Sequence, residues 1–462
     1  MDRCVGCGAC IIACQEEWSL PPGVARNWVR PLWPQGEQPV FTHCVGLCNH
    51  CQDAPCIGAC PTGATYRDHN NRVVVDANAC IGCGYCAHAC PWGARTVRQD
   101  TGVVDKCDFC APLVDAGYPP ACVATCPAEA RLFGDLDERE GALSRAFRER
   151  PVRQLQTAQV STDPQVFYTG KKALLDRIAA EHPPDPQGLE PPLAGRVLRD
   201  GLRPGFFGLL AVALFGDTLA FARQLAGPAE EAEHDAAPML RRHDTAIILL
   251  HWFNAAVWLF QLVTGAGLLG SRDYRVVPGF VNQALLAIFG SPAVMLKFHI
   301  AVAALWMAVL LVYGVLGFKR YLVPFVSHLR LRRDDLRWLR VTAGHILRRS
   351  REPLPPQDKY NAGQKLFGLA VAAGTLLVIA SGMAMALLPG GGEVIQWAIP
   401  VHFAGTGAVV AGTAVHIYMA AVLPSERPVF FSMLHGRIPE SFARERYARW
   451  WERMTRGERT SR

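Results

Sequence analysis

The sequence predicts an α+β chain in two parts: small sheets in a cysteine-rich N-terminal third, then an all-α membrane domain. Three observations carry that expectation. All 17 cysteines of the 462 residues lie between Cys4 and Cys126. The remainder holds four long apolar runs without a charged residue, and four histidines lie inside those runs. Hydrophobic residues make up 50% and charged residues 19%, with mean hydropathy +0.12, and at 50.5 kDa the chain has room for two or three domains. A quarter charged is usual, so the apolar surplus must sit beyond the first third. The net charge of +7 flanks the apolar runs, which argues against nucleic-acid binding. An odd cysteine count in Cys-x-x-Cys runs argues against a disulfide framework.

The cysteines fall into four groups. Cys4-x2-Cys7-x2-Cys10-x3-Cys14 is repeated by Cys80-x2-Cys83-x2-Cys86-x3-Cys90-Pro91. Between them lies Cys48-x2-Cys51-x4-Cys56-x3-Cys60-Pro61, and Cys107-x2-Cys110-x11-Cys122-x3-Cys126-Pro127 closes the series. Four groups of four supply sixteen thiolates, the number that four cubane 4Fe-4S clusters require. Three thiolates two residues apart wrap a tight loop around three corners of a cube, while the fourth leads into a helix pointing away. In two-cluster ferredoxins that last cysteine ligates the partner cluster, so the groups should interlock in pairs. Short β-prone runs such as Arg72-Val73-Val74-Val75 separate them, which suits a ferredoxin-like fold made twice. Zinc is the alternative for Cys-x-x-Cys pairs, but three cysteines in a row at that spacing with a fourth before proline follow the iron-sulfur pattern.

Cys44 is left over, and a buried small hydrophobe is its default reading against a ligand variant or redox thiol. His43, His50, His69 and His88 read as surface or packing residues, since the cysteines already fill every corner. From about Asp135 to Pro204 the text becomes charged and proline-rich, an arm over the cluster domain or a partner, without chemistry of its own. The expected domains are 1–135 for the clusters, 136–203 for the arm, 204–226 for an anchoring helix, and 227–462 for a four-span bundle with a basic tail.

No charge occurs in Thr245 to Ser271, Phe298 to Phe318, Leu366 to Gly392 or Val394 to Ser425. Each run exceeds the roughly 20 residues that cross about 30 Å of hydrocarbon. Gly205 to Ala222 is a fifth candidate, interrupted by Asp217 and ended by Arg223. Val276 to Leu296 is uncharged but broken by proline and glycine, and reads as an interfacial loop with a short helix. Lys319 to Lys365 holds 12 Lys/Arg against 4 Asp/Glu, and the tail from Ser425 holds 9 against 5. Ser271 to Lys297 holds only 3 basic residues and Pro389 to Trp397 none. Both ends of the four-span unit therefore face the cytoplasm. If Gly205 to Ala222 also spans, the cluster domain lies on the outer side; if it does not, that domain is cytoplasmic. Met1 is followed directly by Asp-Arg-Cys without a signal segment, so export would need a partner that carries the signal.

His251, His299, His402 and His416 sit inside the spans, where an ionisable side chain is a functional residue by default. His251 and His416 lie near the cytoplasmic ends of their helices; His299 and His402 lie a few residues in from the outer side. His402 and His416 are 14 residues apart, about 21 Å of rise on nearly one face. That arrangement calls for two haems b, His299 with His402 on the outer side and His251 with His416 on the inner. Thr264-Gly265-Ala266-Gly267 and Ser381-Gly382 accompany them, as close-approach points for a porphyrin or as ordinary helix packing. His243, His328, His345 and His435 fall in basic loops and read as solvated or lipid-facing.

The first third resembles the four-cluster iron-sulfur (beta) subunits of molybdopterin oxidoreductases, in all four spacings. The last 220 or so residues resemble the gamma, cytochrome b subunit of membrane-bound formate dehydrogenase, through Lys359-Tyr360-Asn361-Ala362-Gly363-Gln364-Lys365, His251-Trp252 and His416-Ile417-Tyr418-Met419-Ala420. The resemblance implies a first ligand set of Cys4, Cys7, Cys10 and Cys126 and a second of Cys14, Cys107, Cys110 and Cys122. It implies a third of Cys48, Cys51, Cys56 and Cys90 and a fourth of Cys60, Cys80, Cys83 and Cys86. It also implies one anchoring helix after the cluster domain and a quinone pocket at Asn361, Gln364 and His416. Two subunits that are usually separate would be fused through Ala226 to Leu240. The chain begins three residues before Cys4, where relatives carry a strand; either the start lies upstream or that sheet edge is supplied otherwise.

The expected function is electron transfer to menaquinone or ubiquinone within a formate dehydrogenase-like complex of anaerobic respiration. The chain would sit in a bacterial or archaeal cytoplasmic membrane among lipid, in a complex open to higher oligomers, with the donor oxidised on a molybdopterin (Mo/W) partner. The alternatives are the same wiring for a hydrogenase or a sulfur-oxyanion molybdoenzyme, or an electron wire without a quinone site.

Overall fold

The computed structural model describes residues 1–33, 42–208, 211, 238–271, 273–346, 352–388, 390–422 and 426–456. The candidate anchor Gly205 to Ala222 lies, beyond Gly208 and Ala211, outside the described residues, as does most of the junction at Ala226 to Leu240. The chain divides into two compact units, 1–201 with 266–296 and 383–400, and 202–265 with 297–382 and 401–462.

In the first unit the cysteine loops alternate with antiparallel hairpins. Asn27–Leu32 pairs with Thr42–Leu47, Thr65–Arg67 with Val73–Val75, and Thr96–Val97 with Val104–Asp105. Asp68 makes the middle turn, its carboxylate accepting from the backbone N–H of Asn70 and Arg72 at 3.0 and 2.8 Å. One backbone device recurs in all four cysteine groups: the residue before the second cysteine has positive φ. Gly6 (72°) and Gly82 (68°) take it freely, whereas His50 (45°) and Phe109 (60°) do so against the usual steric penalty. The two strained residues support one another, their rings stacked with centroids 3.7 Å apart. His50 Nδ1 also accepts the Val73 N–H at 3.0 Å, so the packing role expected of His50 is what it has.

The arm lies on this domain. Val152–Arg153 pairs with Tyr168–Thr169, and the helix Lys172–Glu181 follows. Leu155, Tyr168, Leu174 and Ile178 form one apolar cluster with Leu32 and Cys44, so Cys44 is buried in an apolar setting as expected. The Met1 amino group donates to Thr169 O, which sets the start of the chain against the arm. The arm also reaches the cysteines, with the Thr162 hydroxyl 3.2 Å from Cys51 Sγ.

The same unit contains two connections of the membrane helices, 266–296 and 383–400. Tyr85, in the loop of the Cys80 group, donates to Gln396 O at 2.7 Å and tilts against Tyr274 with centroids 6.1 Å apart. Ala293 packs with Cys60, Ala64 and Ala79. The cluster domain therefore rests on the connections poor in basic residues.

The four apolar runs form helices Thr245–Leu268, Pro292–Leu316, Ala362–Leu387 and Glu393–Ile417, each long and apolar enough to cross a membrane. The second begins at Pro292, ahead of its expected start at Phe298, and takes in Lys297. Gly279–Phe289 forms the short helix expected in the connection. In the second unit, the third and fourth helices cross at Gly374 and Gly405, where a Cβ on either would meet the other's carbonyl oxygen at 3.0–3.1 Å. Met239–Arg241 pairs with Arg437–Pro439, joining entry and exit of the bundle as an even number of crossings requires.

Candidate metal centres

Burial is the first cause that pushes up the thiols of Cys4, Cys14, Cys56 and Cys83, and the neighbours that push them further reveal which sulfurs lie together. Cys4 is raised further by Cys10 and Cys126, and Cys14, at about 11, by Cys110 and Cys122. Cys56, at about 12 despite Arg95 beside it, has Cys48 and Cys90 as its foremost like charges. Cys83 is raised well above the usual range, with Cys60, Cys86 and Cys80 around it. These companions bring together Cys4 with Cys10 and Cys126, Cys14 with Cys110 and Cys122, Cys56 with Cys48 and Cys90, and Cys83 with Cys60, Cys86 and Cys80. Links between the sets give their order: Cys122 feels Cys10, Cys107 feels Cys48, and Cys56 feels Cys86. First to fourth, the sets form a row. At one end Cys7 is exposed; at the other Cys60 meets Ala293.

The donors fit iron-sulfur clusters. Cys4, Cys7, Cys10 and Cys126 line one open cleft, which brings the last cysteine of the fourth group to the first three of the first group. Backbone N–H groups point at the sulfurs, from Thr65 to Cys60 at 3.4 Å, Val104 to Cys80 at 3.5 Å and Ala130 to Cys126 at 3.3 Å. Such donors hold the negative charge that buried thiolates and clusters carry.

Two arginines complete the centres. Arg95 is buried, donating to Cys56 Sγ at 3.0 Å and Thr65 Oγ1 at 3.2 Å; its charged form is favoured, against burial, by Cys56, Cys86, Cys48 and Cys90. Arg131 donates to Cys122 Sγ at 3.5 Å and feels Cys122 and Cys10. One guanidinium thus serves the third and fourth sets, the other the first and second. Sequence reasoning missed both, although Cys90-Pro-Trp-Gly-Ala-Arg95 and Cys126-Pro-Ala-Glu-Ala-Arg131 repeat one pattern.

In the membrane helices, His251 and His416 face one another with ring centroids 6.3 Å apart. Two metal–nitrogen bonds of about 2 Å plus two imidazole radii of about 1.1 Å span about 6 Å, so the pair fits one hexacoordinate iron between them. His416 also stacks on Phe367 at 4.4 Å. His299 Nδ1 lies 2.8 Å from Thr264 Oγ1, and His402 Nδ1 lies 3.0 Å from Ser381 Oγ, which leaves Nε2 of each as the ligand atom. Imidazoles so placed have the donor chemistry of haem b ligands.

The residues expected at a quinone have another task as well. Asn361 Oδ1 accepts from Gln364 N at 2.9 Å, and Gln364 Oε1 accepts from Asn361 N at 3.1 Å. This reciprocal pair caps the third membrane helix. Gln364 Nε2 reaches Tyr447 Oη at 3.4 Å, while Asn361 Nδ2 has no hydrogen-bond partner among the described residues. Lys365, of the same run, is buried against Asp335 at 2.8 Å. His243, expected to be solvated, is instead buried and held at about 3 by that burial and by Arg242 and Lys359.

Residues 41–136 match the 4Fe-4S dicluster domain, and residues 242–436 match prokaryotic cytochrome b561. The chain is 47% identical over 142 residues to the thiosulfate reductase electron transfer subunit PhsB of Salmonella typhi, covering 30% of this chain and 74% of that one. It is 40% identical over 168 residues to protein NrfC of Escherichia coli strain K12, covering 36% and 75%. It is 37% identical over 174 residues to a tetrathionate reductase subunit of Salmonella typhimurium, covering 37% and 70%.

Proposed function

Because the chain belongs to the 4Fe-4S dicluster electron-transfer subunits and continues into a cytochrome b561 membrane domain, we propose that it carries electrons between a molybdopterin partner enzyme and membrane quinone. It is a multi-pass membrane protein whose two halves both hold redox metal. Four 4Fe-4S clusters and two haems, when bound, supply one-electron carriers. The chain's own residues hold the carriers in order, keep water from them and set their charge.

The observation that carries the reading is the row of cysteine sets. It runs from the exposed Cys7 to Cys60, packed on Ala293, and His299 lies further along the same helix as Ala293. The exposed end suits a partner enzyme. The contacts of Tyr85 and Cys60 with the outer connections support a cluster domain on the outer side of a bacterial or archaeal cytoplasmic membrane. Electrons passing inward then move against the membrane potential, at about 2.3 kcal/mol per charge for each 100 mV, so the donor must be strongly reducing. At the inner side, Asn361 Nδ2, which has no hydrogen-bond partner among the described residues, would donate to a quinone carbonyl, with Gln364 and His416 as the other pocket residues.

Formate is the donor that the Lys359-to-Lys365 run favours. The names of the thiosulfate and tetrathionate reductase relatives favour a second reading, in which quinol feeds electrons outward to a sulfur-oxyanion enzyme. The purified complex, assayed with formate and quinone and then with quinol and thiosulfate or tetrathionate, separates the two. Turnover with neither pair, nor with hydrogen, counts against both. Protease added to right-side-out vesicles should cleave the cluster domain; protection would reverse the orientation.

A further inference from the structure

The four-span part holds two hydroxyl–imidazole pairs built alike. Thr264 stands on the first membrane helix and Ser381 on the third, each followed by glycine. Each hydroxyl lies beside the Nδ1 of a histidine on the next helix, Thr264 at 2.8 Å from His299 and Ser381 at 3.0 Å from His402. Each also bonds back along its own helix, Thr264 to Phe260 O at 2.8 Å and Ser381 to Leu377 O at 2.5 Å. A hydroxyl has one proton and two lone pairs. The backbone carbonyl can only accept, so the proton goes there, and the hydroxyl oxygen is left to accept from the imidazole Nδ1–H. That fixes the tautomer of each ring and leaves the Nε2 lone pair for a metal.

The glycine leaves room at the second pair, while at the first a side chain would make ordinary contact. A Cβ at Gly265 would stand 3.5 Å from His299 Cε1, and one at Gly382 would stand 3.3 Å from His402 Cε1. The inner pair is held differently: His416 lies flat on Phe367, and His251 meets Trp252 edge-on with centroids 5.3 Å apart. Neither inner imidazole has a hydroxyl hydrogen bond among the described residues.

We infer that Thr264 and Ser381 are positioning residues that orient His299 and His402 toward the outer haem iron and lower that haem's reduction potential relative to the inner one. A ligand that donates its other N–H to an oxygen is more basic and stabilises the oxidised iron. The outer haem is thereby tuned below the inner, so that a step inward is favourable before the membrane potential is counted. This inference rests on the bis-histidine reading of the four imidazoles.

The test uses the full chain in detergent, with haem content measured chemically and the haem absorbance followed through a redox titration. Thr264→Val and Ser381→Ala should each move one midpoint upward and leave the other in place, and the double variant should move it further. Thr264→Ser and Ser381→Thr should restore the wild-type titration. Loss of one haem in the double variant, with both retained in the conservative variants, would support the same role. Titrations that superimpose on wild type overturn the inference, as does an equal change in Thr264→Ser and Thr264→Val, which would mean packing rather than the hydroxyl. A wild-type chain without haem overturns the bis-histidine reading itself, and shows before any variant is made.

Discussion

Replacing Arg95 with methionine should lower the midpoint potentials of the clusters held by the third and fourth cysteine sets and leave those of the first and second in place. Arg95 Nη2 lies 3.0 Å from Cys56 Sγ, and its charge is felt by Cys56, Cys86, Cys48 and Cys90. Adding roughly 3 Å from sulfur to the middle of a cube puts the charge about 6 Å from the site of reduction, where an effective dielectric of about 20 gives about 2.8 kcal/mol. At about 1.36 kcal/mol, or 59 mV, per tenfold change for one electron, that is about 120 mV. Water entering the vacated site would screen part of it, so a fall of about 60 to 120 mV is expected. The sign follows from charge: a cation favours the added electron, and its loss disfavours it. The assay is a redox titration followed by electron paramagnetic resonance, in which the cluster signals are read separately. Arg95→Lys keeps the charge and should recover most of the potential if the role is electrostatic. A shift under about 20 mV, an upward shift, or an equal shift in all four signals would refute the reasoning.

Four further outcomes follow. Lys365→Met leaves Asp335 buried without its cation and should cost about 3–5 kcal/mol, read as a lower thermal midpoint in detergent; adding Asp335→Leu should restore most of it. Asn361→Asp keeps the capping oxygen but removes the Nδ2 donor, so quinone reduction should fall while thermal stability holds; unchanged turnover would remove Asn361 from the pocket. His243, at about 3 in the folded chain against about 6.5 when unfolded, contributes stability that is complete above about pH 6.5. That contribution is lost as pH falls toward 3, at up to about 1.4 kcal/mol per pH unit. His243→Gln should flatten this slope in denaturation curves between pH 7 and 5. Tyr85→Phe removes the bond to Gln396 O and should speed proteolytic release of the cluster domain, without changing its cluster content.

The parts of this molecule that could be read in advance are those where chemistry forces residues to be neighbours in the chain. Three thiolates must wrap one cube within a loop, so the cysteine groups declare themselves, and a span must be uncharged for some twenty residues, so the helices do too. The companions of each group's last cysteine come from elsewhere in the chain. Cys14 beside Cys110 and Cys122, and Cys4 beside Cys126, follow from resemblance or structure but not from spacing alone. Arg95 and Arg131 were hidden for a different reason. Arginine is seldom buried without a partner, and here the partners are sulfurs that become charged only as metal ligands.

The run from Lys359 to Lys365 shows how a stretch read for its chemistry also has a structural task. An asparagine followed three residues later by glutamine, ahead of an apolar helix, is a capping signature by itself, and the carbonyl oxygens of both amides are used that way. Capping consumes acceptors and leaves donors over, which is the polarity a quinone carbonyl requires. A rigid helix start at the membrane surface also holds the amide still, so the donor need not be ordered when the ligand arrives. The cap is thus a reason for Asn361 to serve the pocket rather than a reason against it. His243 went the other way, because basic neighbours in sequence suggested solvent. Pairing of Met239–Arg241 with Arg437–Pro439 lays Gly436 against the His243 carbonyl oxygen and closes the water off. Burial there is a property of two segments nearly two hundred residues apart, and no local pattern carries it.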